Sequence, residues 1–158
     1  MRTATLLLTA AAILVADQAT KAIVVQNVAL GQRVNVLGDL LQVWHAQNRG
    51  ASFSLFQGGG LIFVAVSILA VGMVAYFHRN MRDRAWWIHL VLGVILGGTL
   101  GNLADRLRQG YVVDWASVGI GEMRWPTFNV ADSSLVVGIG VLVIYLFLTD
   151  PGRRQAPA

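Results

Sequence analysis

Four aspartates stand inside apolar sequence in a chain whose Asp and Glu together number only 8. GNLADR sets Asn102 and Asp105 three residues apart, which puts both on one face of a helix. FNVADSS repeats that spacing with Asn129 and Asp132, and GYVVDW holds Asp114 with no cation beside it. DQATK places Asp17 and Lys21 one helical turn apart. A charge kept in an apolar span costs a few kcal/mol or more, about +2.5 upward at a membrane centre, so its retention calls for a role. Two carboxylates in one desolvated site do not readily ionise together, so they share a proton. Such a pair can hydrolyse an amide: the ionised member takes a proton from water while the protonated member polarises the scissile carbonyl. No metal is required, and this reading assigns no cofactor.

Each acid also has a structural reading. Asn129 and Asp132 fit an N-cap with an acid in the first helical turn, where the dipole favours the ionised form. Asp105 fits an ion pair with Arg106, Arg108 or Lys21. Spacing alone leaves Asp105 and Asp114 both open as the partner of Asp132. Other hydrolytic chemistries lack their groups: there is no cysteine, no HExxH, and the single lysine, Lys21, follows a threonine. His45, His78 and His89 fall on different segments and read as satisfied loop or interfacial residues. GIGE at Gly119–Glu122 is set aside as a loop sequence.

The elements that must position these groups are membrane spans. Only 13% of the residues are charged and 56% are hydrophobic, far from the roughly 25% charged of a soluble domain. Four apolar stretches, about 3–25, 61–77, 86–103 and 130–148, each approach the roughly 20 residues that cross a bilayer. Arg2 followed by LLLTAAAILVA also fits a signal peptide, but AIVV resumes after DQATK and lengthens the span beyond a typical apolar core. A net charge of +4 comes from residues scattered along the chain rather than a basic arm, which argues against nucleic acid as a partner.

Arg2, Arg79, Arg82, Arg84, Arg153 and Arg154 sit in two tails and one short loop. Lys21, Arg33, Arg49, Arg106, Arg108 and Arg124 are diluted over two long loops and helix ends. Density therefore puts both termini in the cytoplasm and the long loops outside, with Asp83 and Asp150 marking the inner face. The end of the third helix and the start of the fourth then meet at the outer face, bringing the aspartates to one depth.

The first outer loop, about 26–60, reads as a small β-sheet, with Gly38-Asp39 turning a hairpin and Trp44 suited to the headgroup boundary. The second outer loop, about 104–129, carries the acids, and Asn35 and Ser117 are expected to face the outer solution. Gly93, Gly97 and Gly101, four residues apart, let the third helix pack closely on a neighbour. The fold expected is an all-α membrane protein: a single integral domain, 1–158, of four helices with that sheet.

Five ordered motifs, DQATK, NRGASFS, GGTLGNLADR, GYVVDW and FNVADSS, resemble those of the bacterial lipoprotein signal peptidases, the signal peptidase II family. The resemblance implies an aspartyl endopeptidase of the bacterial inner membrane. Such an enzyme removes the signal peptide of diacylglyceryl-modified prolipoproteins just before the lipidated cysteine, works near the outer leaflet among membrane lipids, and is inhibited by globomycin. It implies Asp114 and Asp132 as the catalytic pair, favouring Asp114 over Asp105. Asp17, Lys21, Asn48, Asn102, Asp105, Arg106 and Asn129 are implied to line the pocket, orient the pair or contact substrate. Trp115 and Ser52 depart from the Phe and Ala of the family pattern. A proton-coupled transporter would stagger its acids through the bilayer, and a passive scaffold leaves their convergence unexplained.

Overall fold

The computed structural model describes residues 1–50, 60–81 and 85–149. Asp83, Asp150, Arg82, Arg84, Arg153, Arg154 and Ser52 lie outside the described residues. Among those described, helices α1 (Arg2–Asn27), α2 (Gly60–Asn80), α3 (Trp86–Gln109) and α4 (Val130–Thr149) are long and apolar enough to cross a membrane. Leu8, Val15, Ile68, Leu69, Val136 and Ile144 are exposed on their outer faces. That is the inverse of a water-soluble surface and suits lipid as the solvent.

α3 is the central helix, packing against α1, α2 and α4. Its character changes along its length. Ile88, Val91, Leu92 and Ile95 form an apolar core with Leu6 of α1 and Val74 of α2. Midway the glycines take over, and at the far end Asn102 and Asp105 are buried. A Cβ on Gly93 would stand 2.6 Å from the Leu6 carbonyl oxygen, and one on Gly97 2.6 Å from that of Ala10, so the expected close neighbour is α1. Gly98 faces the other way, where a Cβ would meet the Ala131 carbonyl oxygen of α4 at 2.6 Å.

α3 also runs further than its apolar stretch, which ends near residue 103. LADRLRQ contains good helix formers, and the helix stops only at Gly110, whose φ of 77° lets its N–H cap the Arg106 carbonyl. Asp105 is therefore helical, as its spacing from Asn102 requires, and so is Arg106, so the loop expected over 104–129 begins only after Gln109.

The sheet expected in the first outer loop is present as β1 (Arg33–Leu37) and β2 (Leu41–Asn48). Gly38, at φ 52°, sits where a primed hairpin turn needs a left-handed residue. The segment after α3 adds β3 (Val112–Ile120) and β4 (Met123–Arg124), giving an antiparallel order β1-β2-β3-β4. Asp114 thus lies on a strand opposite Ala46, not in irregular loop. Ser117, expected to face solution, is fully buried, its hydroxyl accepting from Arg124 Nε at 2.9 Å. GIGE ends β3 with Gly119 and Ile120 and turns into β4 through Gly121 and Glu122. Trp44 stacks under the Arg33 guanidinium, 4.0 Å from the ring centre.

At the opposite end of the bundle from Asp17, the histidines regroup. His78 Nδ1 lies 3.0 Å from His89 Nδ1, and His78 Nε2 lies 3.1 Å from Thr3 Oγ1, so one polar chain ties α1, α2 and α3. His45 stays apart, its Nδ1 2.8 Å from the Val28 carbonyl oxygen.

Candidate active site

Asp17, Asp105, Asp114 and Asp132, with Asn48, Asn102 and Asn129, converge where α1, α3 and α4 meet the sheet. α4 begins with a reciprocal cap: Asn129 Oδ1 accepts from the Asp132 N–H at 2.9 Å, and Asp132 Oδ2 accepts from the Asn129 N–H at 3.2 Å. This fixes the Asp132 carboxylate at the helix mouth. Its other oxygen accepts from Asn102 Nδ2 at 2.7 Å.

Asn129 then reaches across to β3, donating from Nδ2 to Asp114 Oδ1 at 2.8 Å, with longer contacts to Asn102 Oδ1 and the Val113 carbonyl. Asn48 on β2 donates to Asp114 Oδ2 at 2.9 Å. The two carboxylates are thus joined through the Asn102–Asn129 pair, and each of their four oxygens accepts one bond. Asparagine suits this task because its amide donates and accepts without adding charge.

Beneath this pair lies a charged base. Lys21 Nζ is 2.8 Å from Asp17 Oδ2, 2.9 Å from Asp105 Oδ2 and 3.0 Å from Asn102 Oδ1. Its three donors are all used, which is what a buried ammonium requires. Asp17 Oδ1 accepts from the Ala131 N–H at 3.0 Å, and Asp105 Oδ2 accepts from the Val113 N–H at 3.3 Å. One ion cluster therefore holds the start of α4 and the start of β3, the two elements that carry Asp132 and Asp114. Gly101 makes room for it, since a Cβ there would stand 2.5 Å from Asp17 Oδ2.

Arg106 lies over the ring of Phe63, 5.0 Å from its centre, and donates to the Asn102 carbonyl at 3.4 Å. The long-spaced face of Asn102 and Asp105 is real, and of the cations offered to Asp105 it is Lys21 that pairs with it.

Asp114 is 1% exposed. Burial pushes its carboxyl up to about 7, and the nearby Asp132 adds to the rise, while the Asn48 and Asn129 bonds and Lys21 oppose it. At neutral pH Asp114 is accordingly poised to hold or release a proton. Beside Asp132 opens a cavity of about 640 Å³, walled by Trp125, Phe128, Leu135, Val136 and Val137. Among the described residues no group of three or more His, Cys, Asp or Glu is arranged to hold a metal ion.

Sequence reasoning missed Gln18. Its amide donates to Asp105 Oδ1 at 3.0 Å and Asp17 Oδ2 at 3.2 Å, and its carbonyl oxygen accepts from Arg108 at 3.0 Å. Adjacent to Asp17 rather than one turn from it, Gln18 answers to no spacing rule; only the α1–α3 contact reveals it.

The family described as signal peptidase (SPase) II matches residues 9–148. A lipoprotein signal peptidase of Geobacter sulfurreducens is 37% identical over 147 residues, 91% of each chain. One of Halothermothrix orenii is 33% identical over 135 residues, 85% of this chain and 90% of the relative. Two solved structures described as bacterial membrane enzymes superpose with TM-scores of 0.83 and 0.79. The first, 26% identical, covers 98% of this chain and 94% of its own, and the second, 30% identical, covers 92% and 94%. With nearly the whole length matched in sequence and in fold, the chain belongs to the signal peptidase II family.

Proposed function

We propose that this protein is an aspartyl endopeptidase that cleaves the signal peptide from diacylglyceryl-modified prolipoproteins, just before the lipidated cysteine. The observation that carries this reading is the pairing of a buried Asp114 with Asp132 through two asparagines. Asp132, capped at the helix N-terminus, is the base and Asp114 the acid.

Water loses a proton to the Asp132 carboxylate and adds to the scissile carbonyl carbon, while the Asp114 proton goes to the carbonyl oxygen. The resulting gem-diol collapses as Asp132 protonates the departing amide nitrogen, the C–N bond breaks, and a hydroxyl proton returns to Asp114. Both carboxyls end as they began. Asp17, Lys21 and Asp105 hold the two elements in register, and Asn48, Asn102 and Asn129 orient the carboxyl oxygens. Arg106, beside Phe63, bounds the site.

The site is assigned to the outer face of the inner membrane, with both termini cytoplasmic, where a lipid-anchored substrate presents its scissile bond. The cavity beside Asp132 offers an apolar seat next to the reacting acids. Globomycin is the expected inhibitor. Incubating the purified protein with a diacylglyceryl prolipoprotein and sequencing the product tests the proposal: the lipidated cysteine should be its first residue. Intact substrate, or cleavage elsewhere, would overturn it.

A further inference from the structure

The tips of the two hairpins are fused into one corner. Arg124 Nη1 donates to the Asp39 carbonyl at 2.8 Å and pairs with its carboxylate at 3.2 Å, while its other nitrogens bond the Ser117 hydroxyl and carbonyl. Asp39 also accepts from the Gly121 N–H, and Leu40 accepts from the Gly119 N–H at 3.0 Å. The charges of this corner are thereby satisfied internally, apart from Glu122 in the turn.

What the corner presents outward is apolar. Leu37, Leu40, Ile120, Met123 and Trp125 are between 48% and 86% exposed. Ile120 and Met123 are a cross-strand pair, so they share one face. One side chain of the corner meets the membrane-spanning bundle. Trp125 lines the same cavity as Val136 and Val137 of α4. Val136 stands six residues past Val130, about 9 Å down the helix axis at about 1.5 Å per residue. A side chain that shares a cavity with the second turn of a membrane-crossing helix is close to the bilayer's edge, and an indole there suits the headgroup boundary.

We propose that this corner is a membrane foot: Leu37, Leu40, Ile120, Met123 and Trp125 sit in the leaflet on the sheet's side of the bilayer, with Glu122 among the headgroups. Lipid, rather than a second copy of the chain, is the occupant because the apolar surface is continuous with the lipid-facing side of α4. The foot fixes the tilt of the sheet over the membrane, and hence the height of Asp114 above it. This holds whichever reaction the site performs.

The chain has no cysteine, so single labels can be introduced freely. Nitroxide labels on Ile120→Cys and Met123→Cys, in phosphatidylcholine/phosphatidylglycerol vesicles, should collide several-fold more often with oxygen than with nickel ethylenediaminediacetate. More frequent collision with the nickel complex at both positions would overturn the proposal. So would dipolar broadening between labels that vanishes in nanodiscs holding one chain, if the labels there become open to the nickel complex, because the occupant is then another copy. Independently of any label, the part of the tryptophan emission lost in Trp125→Phe should be quenched by brominated lipid; an unquenched contribution would also reject the foot.

Discussion

At the scale of single residues, the site combines a buried carboxyl held near neutrality with a capped one. Asp114→Asn and Asp132→Asn should each lower cleavage by about 10²-fold or more, because the amide keeps the shape but cannot exchange the proton. Asp105→Asn, separated from Asp132 by Lys21 and Asn102, should keep measurable turnover; wild-type cleavage by Asp114→Asn would refute the pairing. With Asp114 raised to about 7, kcat/KM should fall on the alkaline side with an apparent pKa near that value.

The same rise links to stability. A carboxyl whose folded pKa lies above its ordinary 3.8 stabilises the fold fully below that value and loses the contribution as pH climbs to about 7. Asp114→Asn cannot lose it. The amide also meets a donor from Asn48 or Asn129, a cost that does not vary with pH. The melting temperature of the variant relative to wild type should therefore increase from pH 4 to 7 and level off above, the total change being on the order of 4 kcal/mol. A difference flat across that range would mean that Asp114 titrates normally.

At the scale of elements, α3 separates packing from chemistry along its own length. Gly97→Ala drives a Cβ into the backbone of α1 at Ala10, away from the acids. Its expected effect is a loss of about 1–3 kcal/mol in thermal or denaturant unfolding, with turnover per folded molecule retained. Gly101→Ala pushes instead on the Asp17 carboxylate, which holds the first turn of α4. It should lower turnover per folded molecule as well as stability, and equal turnover in both variants would show that Asp17 does not set the position of Asp132. At the other end, His78→Ala removes the partner of the fully buried His89 Nδ1, whose Nε2 already has none among the described residues. Leaving that ring unsatisfied should cost about 1–3 kcal/mol, again without a direct effect on cleavage.

At the scale of the whole molecule, the prediction is sidedness. Asn35 on β1 and Asn80 at the end of α2 are both exposed. Asn35→Cys should react with an impermeant thiol reagent in intact spheroplasts, and Asn80→Cys only after the membrane is opened. The reverse pattern would put the acids at the cytoplasmic face and remove the basis for a lipoprotein substrate. The sequence by itself determined the spans and the first hairpin and marked the buried aspartates as candidates, because apolar length, Gly38-Asp39 and the N-x-x-D repeats are local signals that need no partner. It also marked Gly93, Gly97 and Gly101 as a packing stripe. Only the tertiary structure decided which helix fills that stripe, that Lys21 rather than a neighbouring arginine pairs with Asp105, and that Gln18 joins them. It alone moved Asp114 from loop to strand and Ser117 from solution into the sheet, since β3 is stabilised by pairing with β2, more than sixty residues away in sequence. Pairings across such distances depend on how the helices bring the ends of α1, α3 and α4 together, and nothing in the local pattern of either strand encodes that.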